Sequence, residues 1–138
     1  MSLTAVKLGP QLRKIAKTEL GKVEKVVRSS FIELGTNIIT STPVDEGRLI
    51  ANWMVAIGSA DTSTTTDTDV SGGESMGRLT QKVSALDLGQ ELYMTNSLPY
   101  AERIEYEGHS SQKAPAGMVR VNVADWTQIV NRNAAAYL

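Results

Sequence analysis

Between residues 12 and 38 the apolar side chains Leu12, Ala16, Leu20, Val23, Val27, Phe31, Leu34 and Ile38 recur at intervals of three or four. Such intervals keep side chains on one stripe of an α-helix. Lys14, Lys17, Lys22, Lys25 and Arg28 fall on the other faces, where water reaches them. Pro10 suits the first helical turn, because the N–H it lacks would have no helical partner there. One long helix over residues 10–39 is therefore expected. Its stripe reads as the core face, with partner-helix packing in an oligomer as the other use. Gly21 and Gly35 each weaken the helix by about 1 kcal/mol relative to alanine and are where it would bend.

The pattern then breaks up. Ser41-Thr42-Pro43 stops the helix, since the residue before a proline avoids the helical region. Val44-Asp45-Glu46-Gly47 reads as a turn, and residues 50–57, including Trp53, as a strand. Residues 61–77 are mostly Thr, Ser, Asp and Gly, and from 54 to 77 there are Asp61, Asp67, Asp69 and Glu74 but no Lys or Arg. So polar a stretch has little to build a core with and reads as a flexible acidic loop. Leu79, Val83 and Leu86 suit a short helix ending near Gly89, and residues 91–95 a second strand. Asn96-Ser97-Leu98-Pro99 is a turn, residues 100–106 a helical turn presenting Tyr100, Ile104 and Glu105, and residues 108–114 a polar loop. Residues 118–121 alternate as a third strand would. Asn122 is placed to cap a last helix, with Asp125 completing a capping box and Val123, Trp126, Val130 and Tyr137 facing inward. The reading is one α+β domain over residues 1–138: a long N-terminal helix and a C-terminal helix packed on a small antiparallel sheet, with a flexible acidic loop near residues 60–77.

Composition narrows the function classes. A net charge of −1 argues against a basic nucleic-acid-binding module. There is no cysteine, so no disulfide or thiolate chemistry, as suits a protein made in a reducing cytosol. No run of about 18 apolar residues marks a membrane span, and no leader pattern is visible. His109 is the one histidine and has no second ligand at helical or hairpin spacing, so no metal site is expected. A Ser-His-Asp or Cys-His arrangement has no good candidate either. The 67–73 stretch superficially resembles a calcium loop but lacks the bidentate glutamate at the twelfth position. No Gly-rich phosphate loop follows a strand. Glu102, Glu105 and Glu107 would act as acid and base only if a pocket split their pKa values. A structural role is the better expectation: Glu105 binding backbone N–H groups, or pairing with Arg48. No catalytic residue and no cofactor are expected.

The turn-rich segments carry a resemblance. Thr42-Pro43-Val44-Asp45-Glu46-Gly47-Arg48-Leu49, followed by Asn52-Trp53, resembles the "T-P-V-D-T-G-R-L-R-x-x-W" segment of a siphophage tail-component family. Tyr93-Met94-Thr95-Asn96-Ser97-Leu98-Pro99-Tyr100-Ala101 is similar to its "I-Y-x-x-N-x-L-P-Y-A". Ile104-Glu105-Tyr106-Glu107-Gly108-His109-Ser110 is similar to "L-E-Y-G-x-S", with Glu107 inserted, and Ala114-Pro115-Ala116-Gly117-Met118-Val119 to "A-P-x-G-M-V". Each is a weak turn motif alone, but the four occur in the family's order and cover residues 42–119. On them the chain is identified as a member of the head–tail joining and tail-completion (neck) family that includes lambda minor tail protein Z.

The resemblance implies a structural virion protein without enzymatic activity, assembled in the host cytoplasm. It implies a ring, hexameric as in related neck rings, between the head-side connector or stopper and the tail terminator or tail tube. Genomic DNA would pass through without sequence-specific contacts. Pro43, Asp45, Gly47, Arg48, Trp53, Asn96, Pro99, Tyr100, Glu105, Gly108, Pro115 and Gly117 are the expected structural and assembly positions. Asp45 is placed to accept hydrogen bonds from the turn at Gly47, Asn96 to bond its own turn, and Trp53 and Tyr100 to act as large core or interface pieces. Part of the 61–77 loop is expected to face a lumen or a neighbouring ring, since near-neutral or acidic walls do not hold DNA by counterion release. A tail terminator capping the tube is the close alternative. A small metal-dependent enzyme and a DNA-binding regulator are the readings from other classes, separable by metal analysis and a salt-dependent mobility shift.

Overall fold

The computed structural model describes residues 10–108 and 113–138, and the side chains from residue 17 onward. Leu12, Ala16 and His109 thus lie outside the described side chains, as does most of the loop expected at 108–114. The order is α1 (Pro10–Ser41), α2 (Arg48–Ala51), β1 (Met54–Ile57), α3 (Gly73–Ser84), β2 (Leu92–Thr95), α4 (Pro99–Glu107), α5 (Arg120–Val123) and α6 (Trp126–Tyr137). This bears out the α+β reading: a long N-terminal helix, a two-stranded sheet and a C-terminal helix. β1 and β2 run antiparallel, with Met54 opposite Thr95 and Ile57 opposite Leu92.

At 1.5 Å per residue, the 32 residues of α1 span roughly 48 Å. α3 lies along its second half in the opposite direction. Gly72 approaches Ile39, Leu79 packs against Gly35, and the Leu86 carbonyl accepts two hydrogen bonds from Arg28. A Cβ at Gly35 would sit 2.5 Å from Leu79 Cδ2, so this glycine is a point of close helix approach. The other side of α3 meets β1, while α5 and α6 pack on α1. The core therefore joins Ile38 and Ile39 of α1 to Leu79 and Val83 of α3, Trp53 and Val55 around β1, and Ala101 and Ile104 of α4.

Four sequence expectations give way to local competition for hydrogen bonds. Residues 50–57 are not one strand: Gly47, at φ 85°, launches α2, and Leu49, Ile50 and Ala51 are buried in succession. A strand would have turned every second side chain outward. The acidic stretch is not wholly loop, because residues 73–77 open α3 after Gly72 turns left-handed. No third strand forms at 118–121, where the backbone donors of Met118, Val119 and Arg120 are bound by one carboxylate instead. Asn122 does not cap the last helix, since its amide donates to Met118 O, Ser41 Oγ and Asn37 O.

Asp125 precedes α6 without any side-chain capping bond. The inward face of α6 also differs from expectation. Trp126 stacks on Phe31 at 5.2 Å, and Ile129 is fully buried, but Val123 and Tyr137 are exposed. Val123 belongs to α5, and the break at Ala124 and Asp125 shifts its phase relative to α6. Among the described residues no helix is long and apolar enough to cross a membrane.

Candidate functional site

The turn-rich segments meet in space and form two clasps. The first closes around Trp53, which is 3% exposed. Its indole N–H donates to Thr42 Oγ1 at 2.9 Å, and that hydroxyl donates in turn to Ile38 O at 2.8 Å. Trp53 thereby ties the end of α1 to the start of the sheet. Asn96 joins the second segment to the first: its amide donates to Leu49 O at 2.8 Å, and its oxygen accepts from Leu98 N–H at 3.3 Å. The latter is the local turn bond expected of Asn96. Pro99 then opens α4, and Tyr100 packs half-buried on the core.

Gly47 is required by more than its backbone angle. A Cβ there would lie 2.7 Å from Val70 N, and Gly47 O accepts from Asp69 N–H at 2.9 Å. The supposed loop is thus packed against the first signature turn. Asn52, fully buried, fixes it further: the amide donates to Thr65 O and Arg48 O, while Oδ1 accepts from Thr65 N–H at 2.8 Å. Asp69, 6% exposed, accepts from Ser75 N–H, and Ser75 Oγ donates to Ile50 O, both at 2.8 Å. Burial works to raise the Asp69 pKa, but the backbone donors of Ser75, Glu74 and Gly72 and the Ser75 hydroxyl outweigh it and hold it below the ordinary value. The segment is anchored at Thr65, Asp69 and Ser75 as a strap between β1 and α3.

The second clasp is centred on Glu105. Its Oε2 accepts from Met118 N–H at 2.6 Å and Val119 N–H at 2.8 Å; Oε1 accepts from Arg120 N–H at 2.9 Å and Arg120 Nε at 3.1 Å. Arg120 also donates to Glu105 O at 2.7 Å and lies over the Tyr106 ring at 4.7 Å. Burial raises the Glu105 pKa, yet the three backbone donors and the guanidinium together leave it lowered. The glycines of this clasp are sterically obligatory. A Cβ at Gly117 (φ 93°) would sit 2.5 Å from Glu105 O, and one at Gly108 (φ 78°) 2.6 Å from Pro115 O. α4 runs through to Glu107, the residue before Gly108.

The Arg48–Glu105 pair is overturned, because Arg120 takes that place and Arg48 instead reaches Thr65 O at 3.5 Å. The alternative of Glu105 binding backbone N–H groups holds. Asp45 is exposed and accepts no hydrogen bond from its turn among the described residues. Arg120, Asp69 and Ser75 were not singled out for these contacts by sequence reasoning. Their neighbourhoods offer only turn chemistry, with no spacing that names the partner.

Between the clasps lies a cleft of about 480 Å³. Pro43, Asp45, Glu46, Gly47, Arg48 and Leu49 form one wall, and Tyr100, Arg103, Ile104, Glu107 and Gly108 the other. Its lining mixes apolar side chains, among them Leu49 and Ile104, with both signs of charge. Chemically this suits docking of an amphipathic segment better than bond-making. Glu105, the nearby buried carboxylate, already accepts two hydrogen bonds at each oxygen, and its lowered pKa is the wrong direction for a general acid. Among the described residues no group of three His, Cys, Asp or Glu side chains can hold a metal ion. Compared with family models, with curated proteins and with solved structures, the chain matches none of them.

Proposed function

We propose that the chain is a structural subunit of the neck of a long-tailed phage, forming a ring at the head–tail junction that joins the head connector to the tail tube. The observation that supports this most is the convergence of the four resembling segments. Thr42, Trp53, Asn96, Glu105, Gly108 and Gly117 spend their chemistry on holding backbone to backbone, and the two clasps frame one docking cleft. Such an arrangement makes a rigid surface of fixed shape, as a closed ring of identical contacts requires. The exposed Asp67, on the strap, would contribute to an acidic channel wall along which DNA slides without being held.

Cryo-electron microscopy of the particle encoded with this chain tests the reading. A ring of density at the head–tail junction that fits α1, the strap and the cleft is the expected result. A junction whose rings are all built from other chains overturns it, and density directly on the tube end would assign the terminator role instead.

A further inference from the structure

The charge of the chain is distributed by position. Residues 1–28 carry seven Lys or Arg (Lys7, Arg13, Lys14, Lys17, Lys22, Lys25, Arg28) against Glu19 and Glu24, a net +5. Residues 29–138 carry the other seven basic residues against thirteen acidic ones, a net −6, and the two parts sum to the −1 of the whole. Residues 10–28 of the basic part belong to the first part of α1. The cleft opens at the other end, its first wall starting two residues after Ser41. The roughly 48 Å of helix between them keeps a copy's own arm out of its own cleft.

The arm is exposed where its side chains are first described. Lys17, Thr18 and Glu19 are all exposed, although three consecutive helical residues at about 100° each spread over more than half the circumference. At this end of α1 the turn after α3 lies against Glu24, Val27 and Arg28. Leu20 and Val23 are half-buried, and Lys25 is exposed with no carboxylate partner among the described residues. The arm therefore offers an apolar stripe flanked by ammonium groups. The cleft offers Leu49, Tyr100 and Ile104 beside Asp45, Glu46 and Glu107, which outnumber Arg103 and an Arg48 drawn aside towards Thr65.

We propose that the Pro10 end of α1 of one copy seats in the cleft between residues 43–49 and α4 of the next copy. The contact rests on the ring reading and supplies its heterologous bond. A head-to-tail contact sets the net +5 segment against the net −6 body and propagates around a ring.

Charge reversal and rescue test this in the full chain. One variant carries Lys17→Glu, Lys22→Glu and Lys25→Glu; the other carries Glu46→Lys and Glu107→Lys. Circular dichroism establishes that each is folded, and light scattering at high protein concentration and low ionic strength measures association. The wild type is expected to self-associate and to lose that association in high salt, and each variant alone to lose it. An equimolar mixture of the two variants is expected to regain it, because the acidic arm of one fits the basic cleft of the other. Since the chain has no cysteine, Lys25→Cys and Glu46→Cys proteins mixed with a short bismaleimide should give 25–46 links in excess over either homodimer. Association unaffected by both reversals, or links confined to 25–25 or 46–46, overturns the contact. So does a wild type that stays monomeric without arm-to-cleft links. None of these results touches the ring density sought in the particle, so the two readings fail separately.

Discussion

Two regions of this chain are rich in polar residues, and the fold treats them in opposite ways. In the first turns of α1 described with side chains, the charges stay at the surface, and the Glu19–Lys22 pair, at 3.3 Å, joins two well-exposed side chains. An i,i+3 pair of this kind contributes only a few tenths of a kcal/mol (about 0.2–0.5). In residues 42–120 the polar groups go inward: Thr42, Asn52 and Ser75 are fully buried, and Asp69 and Glu105 nearly so. The difference lies in the backbone. A helix satisfies its own N–H and C=O groups and leaves side chains for solvent, whereas a succession of turns leaves backbone groups that must find partners. Polarity in the sequence therefore marks exposure in one region and cross-linking in the other.

The largest effect expected from this contrast is at Glu105. Glu105→Ala strands the N–H groups of Met118, Val119 and Arg120 and should cost about 3–5 kcal/mol, read as a fall in the denaturation midpoint. A loss below about 1 kcal/mol would mean that water replaces the carboxylate and that the second clasp holds little together. Lys22→Ala, at the other pole of the comparison, should stay within about 0.5 kcal/mol of wild type.

The strap gives the next effect in size. At Gly47, alanine must adopt φ 85° and place a Cβ 2.7 Å from Val70 N. Gly47→Ala should cost about 2–3 kcal/mol through strain and a displaced strap. Hydrogen exchange should accelerate at the N–H groups of Asp69 and Thr65, which bond Gly47 O and Asn52 Oδ1. Unchanged protection there would restore the picture of a loop independent of the body.

Acid should separate the two regions as well. Asp69 and Glu105 have folded pKa values below their unfolded ones, which lie near about 3.9 and 4.3. The stability they contribute is complete above the unfolded values and is lost as pH falls through the folded ones. Stability should therefore drop steeply below about pH 4, and Glu105→Gln should flatten that part of the profile. A variant with the same acid slope as wild type would remove Glu105 from the account.

How much of this was legible in the sequence follows the same division. The 3.6-residue stripe located α1 to within two residues at its end, because helix periodicity depends only on neighbours along the chain. Trp53 in the core, the Asn96 turn and the need for glycine at position 47 were readable from local chemistry. The strap, Arg120 as the Glu105 partner and the missing third strand were not. Each depends on a contact between residues 6 to 25 or more positions apart, such as Asp69 with Ser75 or Ser75 with Ile50. Alternation at 118–121 looked like a strand, and only the approach of Glu105 shows why those N–H groups are unavailable to a ladder.

An effect of opposite sign is expected where α1 breaks its own pattern. Ser30 is fully buried, and its hydroxyl has no hydrogen-bond partner among the described residues. A serine in a helix usually turns its hydroxyl to the carbonyl four residues back, so an unpaired one in the packed face bears a desolvation cost without return. Alanine removes that cost and is also the better helix former, while the methyl it leaves occupies nearly the same volume. Ser30→Ala should thus raise stability by about 0.5–1 kcal/mol, seen as an upward shift in the thermal midpoint. A loss of that size instead would show that the hydroxyl has a partner in the assembled or hydrated protein, placing a buried polar contact in α1 of the kind otherwise confined to residues 42–120.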